Sequence, residues 1–313
     1  MNDVRFDFYR LRFYFEASEP VLFPHGAAGN ILRGAFGTEL RKLACSPDCR
    51  DAASCDSRHA CAYARIFEPR AARGAGPSGL VNQPRPFVFR AAHLDGRRIG
   101  PGQRFSLDVH LFDTAFPAAH WFVSTFRALE AEGIASGRGR ARLVTVDQLS
   151  PEDRVLKQVF DGDQVHEQLE PSSIHLLSDA RMVERVRIRF VTPTELKCVE
   201  GLAARPDFPI LFARIRDRLS TLGALYGAGP LDIDFRGMAE RASQILMTHC
   251  DLAYEEASRR SSRTGQEHPL GGFTGVAEYR GDLAKFVSYL HAARWTGVGR
   301  QTVWGKGEIQ IIQ

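Results

Sequence analysis

Arg10-Leu11-Arg12-Phe13-Tyr14-Phe15 and Arg185-Val186-Arg187-Ile188-Arg189-Phe190 are two copies of one pattern. In the first, Leu11, Phe13 and Phe15 share one face, with Arg10, Arg12 and Tyr14 on the other. In the second, Val186, Ile188 and Phe190 stand opposite Arg185, Arg187 and Arg189. Successive side chains leave a strand on opposite sides, so this alternation predicts a strand with one buried face. A short polar or proline-containing turn follows each copy. Helical segments come next, from about Gly29 to Leu43 and from about Pro209 to Leu225.

The parallel holds at the far end of each half. A helix from about Ala118 to Glu132 carries Trp121, Phe122, Thr125, Phe126 and Leu129 at helical spacing. It stops at Gly133, and a glycine-rich turn (Gly133, Gly137, Arg138, Gly139, Arg140) leads into a strand from Ala141 to Val146. A helix from Asp282 to Arg294, with Leu283, Phe286, Val287 and Leu290 inward, stops near Gly297. There Gly297-Val-Gly299-Arg300-Gln301-Thr-Val-Trp304-Gly305-Lys306-Gly307 leads into a strand from Glu308 to Ile312. Between these ends the first half has a strand pair, Pro86–Ala92 and Arg104–Phe112. The second has candidate strands near Ile245–Tyr254 and Phe273–Tyr279, separated by a polar loop from Glu255 to His268.

Each half therefore reads β-α-β-β-α-β, and the fold class is α+β, tandem ferredoxin-like (RRM-like) domains. The expected organisation is a first domain over 1–150 with a cysteine-rich insertion at about 44–70, a connection over 151–180, and a second domain over 181–313.

At 313 residues, with 44% apolar and 25% charged side chains, the chain has the composition of an ordinary globular protein. It has no apolar run of the length that spans a bilayer, and Met1-Asn-Asp-Val-Arg5 lacks the features of a secretory signal. A cytoplasmic protein without membrane contact is expected. A net charge of +4 is too small to imply a nucleic-acid partner by itself. Most of the cations are Arg, which suits phosphate forks and base stacking, although a GC-rich genome gives the same bias.

The segment Gly297–Gly307 is where chemistry concentrates. Glycines after a helix end expose backbone N–H groups and let a phosphate approach without a Cβ in the way. Here Gly297, Gly299, Gly305 and Gly307 are interleaved with Arg300, Gln301 and Lys306, which suit a phosphodiester chain, and with Trp304, which offers a stacking face for an unpaired base. A tight turn before an edge strand would explain one or two of the glycines. Gly133–Gly139, with Arg138 and Arg140, is a shorter version.

The Gly-Val-Gly, five-residue, Gly-Lys-Gly string closing a duplicated ferredoxin-like chain resembles the C-terminal signature of the CRISPR repeat-processing endoribonucleases of the RAMP superfamily. Asn30-Ile-Leu-Arg33-Gly34-Ala-Phe36-Gly37, after the first strand, is similar to a Leu-Arg-Gly-Ala-Phe-Gly opening in RAMP proteins. The resemblance spans essentially the whole chain as order and spacing.

The resemblance implies an endoribonuclease that cuts precursor CRISPR RNA without a catalytic metal. The 2′-hydroxyl attacks the adjacent phosphate, leaving a 2′,3′-cyclic phosphate and a 5′-hydroxyl. It implies CRISPR repeat RNA and the mature crRNA as partners, with other subunits of a CRISPR interference complex. It also implies a histidine near the first helix as proton carrier, and the matching position is His25, in Phe23-Pro24-His25-Gly26. The bland alternative for His25 is an ordinary turn residue. Thr38 stands where some relatives carry a histidine, and His249 and His291 are further candidates. Arg33 and Arg41 on the first helix are candidate phosphate contacts, against the reading of ordinary exposed helix charges. A second functional reading is a catalytically silent RAMP subunit that binds crRNA.

Four of the six cysteines, Cys45, Cys49, Cys55 and Cys61, fall within seventeen residues. In a reducing compartment such clustering points to metal. Pro47, Asp48, Asp51 and Ser54 mark a ligand loop. A structural zinc on four thiolates is the expectation, with an iron–sulfur cluster as the alternative and His59 as a substitute ligand. Cys198 and Cys250 are expected to be small core residues.

Overall fold

The computed structural model describes residues 4–46, 49, 54–70, 82–116, 118–135, 137–166, 168–176, 182–256, 258–260 and 267–312. They fall into two compact units, one drawn from Asp7–Ser172 and Ala224–Gly227, the other from Met1–Phe6, Ser173–Gly223 and Ala228–Gln313.

In the first, strands β1 (Arg5–Ala17), β2 (Phe87–Arg90), β3 (Arg104–Leu111), β4 (Ala141–Leu149) and β5 (Val155–Phe160) lie in the order β2-β3-β1-β4-β5. All neighbouring pairs along it are antiparallel. Helices α1 (Ala28–Ala44) and α2 (Ala119–Glu132) cover one face. The alternation in β1 buries Leu11, Phe13 and Phe15 completely. Leu32, Phe36 and Leu40 of α1, one turn apart, are equally buried, as are Phe122 and Phe126 of α2. The rings of Phe36 and Phe122 stack at 4.4 Å, and Phe13 meets Phe126 at 5.0 Å. Each such ring contributes about 1.5–3 kcal/mol relative to leaving it in water.

In the second unit, β6 (Arg185–Thr194), β7 (Leu246–Glu255), β8 (Gly272–Arg280) and β9 (Ile309–Ile312) lie in the order β7-β8-β6-β9, again antiparallel. The helices are α3 (Phe208–Tyr226), α4 (Phe235–Ala242) and α5 (Val287–Thr296). Phe208, Phe212 and Phe286 form its aromatic centre, with Phe212 and Phe286 at 4.7 Å edge to face. The Tyr279 hydroxyl, buried among them, donates to the Pro206 carbonyl at 2.7 Å. In each unit the second, third, first and fourth strands of the repeat are adjacent in that order, so both are ferredoxin-like.

Three expectations need correction. The stretch 151–180 is more than a connection: Val155–Phe160 pairs with β4 as the edge of the first sheet, and Ser172–His175 is a further short strand. Residues 177–180 lie outside the described set. In the loop from Glu255 to His268, Ser258–Arg260 pairs with Glu267–Pro269, while 257 and 261–266 lie outside the described residues. The last helix begins at Val287, because Leu283–Phe286 forms a turn in which the Phe286 N–H donates to the Leu283 carbonyl. Among the described residues no helix is long and apolar enough to cross a membrane.

Candidate nucleic-acid interface and active site

His25 sits in the turn between the short strand Val21–Leu22 and α1. The Phe23 side chain is fully buried, and its N–H donates to the Arg97 carbonyl at 3.0 Å. Gly26 then turns the chain with φ +66°, a region glycine enters without steric cost. Residue 27, at the cap of α1, is an alanine that offers no side-chain acceptor. Asp95 supplies one instead, its carboxylate accepting from the Ala28 N–H at 2.8 Å, which fixes the start of the helix. His25 is exposed between these anchors. Its imidazole is therefore accessible from solvent while the backbone that carries it is held at both ends.

The glycine loop of the second unit is a closed ring. Gly297 ends α5 with φ +71°, and the Val298 N–H donates to the Gly307 carbonyl at 2.9 Å. Gly307 in turn donates to the Pro193 carbonyl, and Arg300 donates to the Glu195 carbonyl at 3.0 Å. A Cβ on Gly299 would run into the Glu195 carbonyl, and one on Gly307 into the Val298 carbonyl. These glycines are therefore needed for close backbone approach to the chain leaving β6. The N–H groups of residues 297, 298, 300, 304, 305 and 307 are all used within the fold. That alters the expectation of a row of open donors. Lys306 is buried at 4% exposure, so it is not a surface cation either. Arg300 stays half exposed and donates to the Glu195 carboxylate at 2.7 Å. Gln301, at φ +64°, and Trp304 are partly exposed.

The loop of the first unit is wired the same way. Gly133 ends α2 with φ +84°, the Ile134 N–H donates to the Gly139 carbonyl at 3.0 Å, and a Cβ on Gly139 would strike the Pro20 carbonyl beyond β1. Arg138 and Arg140 are exposed, with loose pairs to Glu132 and Glu19 at 3.7 Å each.

Residues 6–174 match the AF_1859_N family, described as an N-terminal domain, so more than half of the chain belongs to that family. Residues 188–309 match the model described as CRISPR-associated endoribonuclease Cas6. Over residues 188–309 the chain is of the Cas6 type. An uncharacterised protein of Archaeoglobus fulgidus is 27% identical over 292 residues, 90% of this chain and 91% of that one. The product complex of Thermus thermophilus Cas6 shares the fold with a TM-score of 0.56 at 16% identity, over 98% of this chain and 99% of that one. Thermus thermophilus Cas6 on its own gives 0.53 at 18% identity, over the whole of both chains. A chain of a partial Cas6–RT–Cas1–Cas2 complex gives 0.55 at 11%, over the whole of this chain and 47% of that one.

The cations of the chain divide by their partners. In the first sheet Arg10 and Arg12 both hold Asp108, at 2.8 and 2.6 Å, and Arg10 also reaches Asp153. Burial alone would raise the Asp108 carboxyl, but the Arg12 hydrogen bond and the Arg10 charge outweigh it and hold the group below its usual range. In the second sheet Arg187 and Arg189, on the face away from the helices, form no ion pair among the described residues. In the sequence they stand out only as the polar side of an alternating strand. Their alternation on a strand was the signal for an open cationic face.

Arg33 departs from expectation. It is 7% exposed, with its guanidinium 4.6 Å from the centre of the Phe67 ring, and so braces the core. Arg41 donates to the Cys49 carbonyl at 3.0 Å. His291 and His249 are exposed, the former one turn before the glycine loop.

The four clustered cysteines are all partly exposed and carry free thiols, while Cys250 is exposed and Cys198 intermediate, so neither is a core residue. Burial, then the neighbouring Cys61 and Cys49 thiols, push the Cys45 thiol up to about 12. Cys49 is raised too, by burial and by Cys55. Among the described residues no three His, Cys, Asp or Glu side chains stand ready at metal-ligating spacing. Pro47, Asp48 and Asp51 lie outside the described residues.

Proposed function

We propose that this Cas6-family endoribonuclease cuts CRISPR repeat RNA without a metal ion and keeps hold of its product. The 2′-oxygen attacks the adjacent phosphorus, the bond to the 5′-oxygen breaks, and the products are a 2′,3′-cyclic phosphate and a 5′-hydroxyl. One proton leaves the attacking hydroxyl and one reaches the departing oxygen. His25 is the proton carrier, and the observation that carries this role is its exposed place on the pinned turn before α1. The half-exposed Arg300, with Arg138, Arg140, Arg187 and Arg189, provides cations for the RNA backbone. Gln301 and Trp304 offer an amide and a stacking ring to an unpaired base. The product complex of Thermus thermophilus Cas6 supports RNA as the ligand, and the Cas6–RT–Cas1–Cas2 assembly supports association with other CRISPR proteins.

The test is cleavage of repeat RNA in excess EDTA, beside a substrate with a single 2′-deoxyribose at the junction. The all-ribose RNA should be cut and the deoxy substrate left whole. Loss of cutting in EDTA overturns metal independence, and cleavage of the deoxy substrate overturns attack by the 2′-hydroxyl.

A further inference from the structure

We infer that the chain forms a two-fold dimer in which β7 pairs antiparallel with β7 of a second copy, joining the two second-unit sheets edge to edge. β7 ends the order β7-β8-β6-β9, so among the described residues no strand pairs with its outer edge. Such an edge is a row of N–H and C=O groups ready to take another strand, and soluble proteins blunt it with lysine, proline, bulges or shortness. The opposite edge strand, β9, has only 4 residues. β7 has 10, with no Lys, Arg or Pro among them. Its one irregularity is a register shift against β8 between Met247 and His249, which leaves His249–Glu255 regularly paired. Cys250, Leu252 and Tyr254 stand opposite Ala277, Gly275 and Phe273, and so share the face on which Ala277 and Phe273 are buried. Yet Cys250 is exposed, Leu252 half-buried and Tyr254 65% exposed, an apolar strip on an open edge. His249, Asp251, Ala253 and Glu255 alternate with them on the other face. Two carboxylates without a cation in the same strand repel a polyanion such as RNA, so the occupant that fits is a protein strand.

Register decides which strand that is. In a two-fold antiparallel pair, opposite residues lie on the same face, so the axis passes a residue and not the gap between two. An axis at Leu252 uses the whole regular stretch His249–Glu255. Leu252 then meets its own copy, Cys250 meets Tyr254 of the partner subunit, and Asp251 meets only Ala253 of the partner subunit. At both ends His249 meets Glu255 of the partner subunit. The imidazole N–H there has a carboxylate acceptor, and the Thr274 hydroxyl, donating to Glu255 Oε1 at 2.7 Å, already holds that carboxylate on this face. Moving the axis one residue toward the N-terminus sets Asp251 against its own copy. Moving it one residue the other way sets Asp251 against Glu255. Like charges directly opposite are unfavourable in a sheet, so both neighbouring registers are penalised, while the one at Leu252 is the longest and the best matched. A strand that fits itself in one register points to a second copy of this chain. The contact is isologous and small, so the association depends on concentration.

The experiment is sedimentation equilibrium of the full-length chain without RNA, over a wide range of concentration. A monomer–dimer equilibrium is expected, and Leu252→Glu, which sets two like charges at the axis, should weaken it by about tenfold or more. If Leu252→Glu does not fold, Tyr254→Glu at its exposed position should act in the same direction. Register is read by mild oxidation: Leu252→Cys should give a covalent dimer in which peptide mapping joins residue 252 to itself, whereas Ala253→Cys, displaced from its own copy along the strand, should not link to itself. A chain that stays monomeric at every concentration overturns the inference, as does a dimer indifferent to Leu252→Glu and Tyr254→Glu. Self-linking of Ala253→Cys in place of Leu252→Cys overturns the register. A monomer whose affinity for repeat RNA falls with Leu252→Glu would make the edge an RNA contact and overturn the dimer.

Discussion

Asp108 shows how a single carboxylate decides what a sheet face can do. Its oxygens take the Arg10 and Arg12 guanidiniums at 2.6–3.0 Å, and with Asp153 as the second acid the two positive charges on this face of the first sheet are balanced. Because its carboxyl sits below the usual range when folded, its contribution to stability is complete above the unfolded value of about 3.9. It is lost as pH falls through the lower folded value. Asp108→Asn should cost about 3 kcal/mol near neutrality by removing the buried carboxylate from Arg10 and Arg12 and leaving the half-exposed Asp153 as the acid beside them, and should flatten the acid side of a denaturant-unfolding profile taken between about pH 6 and pH 3. An unchanged acid slope would remove Asp108 from this role. The sequence displays Arg10 and Arg12 plainly but hides their partner, which is 98 positions away from Arg10. His25 behaves differently, being exposed and pinned by its neighbours. His25→Ala should leave the unfolding midpoint unchanged and slow single-turnover cleavage roughly 100- to 10,000-fold, with RNA affinity retained in a filter-binding assay.

At the scale of elements, the strands and helices of the repeat were legible because each buries one face, and burial imprints a period. Val155–Phe160 was not, since Val155 and Leu156 are exposed apolar residues that break the alternation expected of an edge strand. Helix Phe235–Ala242 also escaped, because only Met238 and Ala242 are buried; Asp234, whose side chain accepts from the Gly237 N–H at 2.8 Å, was the one local signal. The glycines were legible in number but not in purpose. Gly299→Ala should destabilise by about 1–3 kcal/mol through strain at positive φ and collision with the Glu195 carbonyl, read as a lowered unfolding midpoint. An unaffected midpoint would return Gly299 to a purely ligand-facing role. On β6, changing Arg187 and Arg189 together to alanine should reduce the slope of log affinity against log salt by roughly 1.4, taking about 0.7 per single-strand phosphate contact. An unaltered slope would place the RNA elsewhere.

For the whole molecule, the duplication explains why a chain with a net charge of only +4 can still grip a polyanion. Its two sheets carry similar strand patterns, yet one copy has its arginines tied to Asp108 while the other leaves Arg187 and Arg189 without ion pairs among the described residues. Overall charge is therefore a poor guide to the field at any one face. If the product is retained, cleavage with RNA in excess should stop at an amplitude equal to the enzyme concentration, whereas linear turnover far beyond that amplitude would disprove retention. The two loops that close the copies suggest how such a chain diversifies. One hydrogen bond, Ile134 to Gly139 or Val298 to Gly307, seals each loop at its neck. In the second loop the Arg300 N–H bond to the Glu195 carbonyl and the buried Thr302 and Val303 tie the residues between Gly299 and Gly305 to the same frame, so a change of length there is felt by the strand below, and only the exposed tips of side chains such as Arg300 can vary at no cost to the fold.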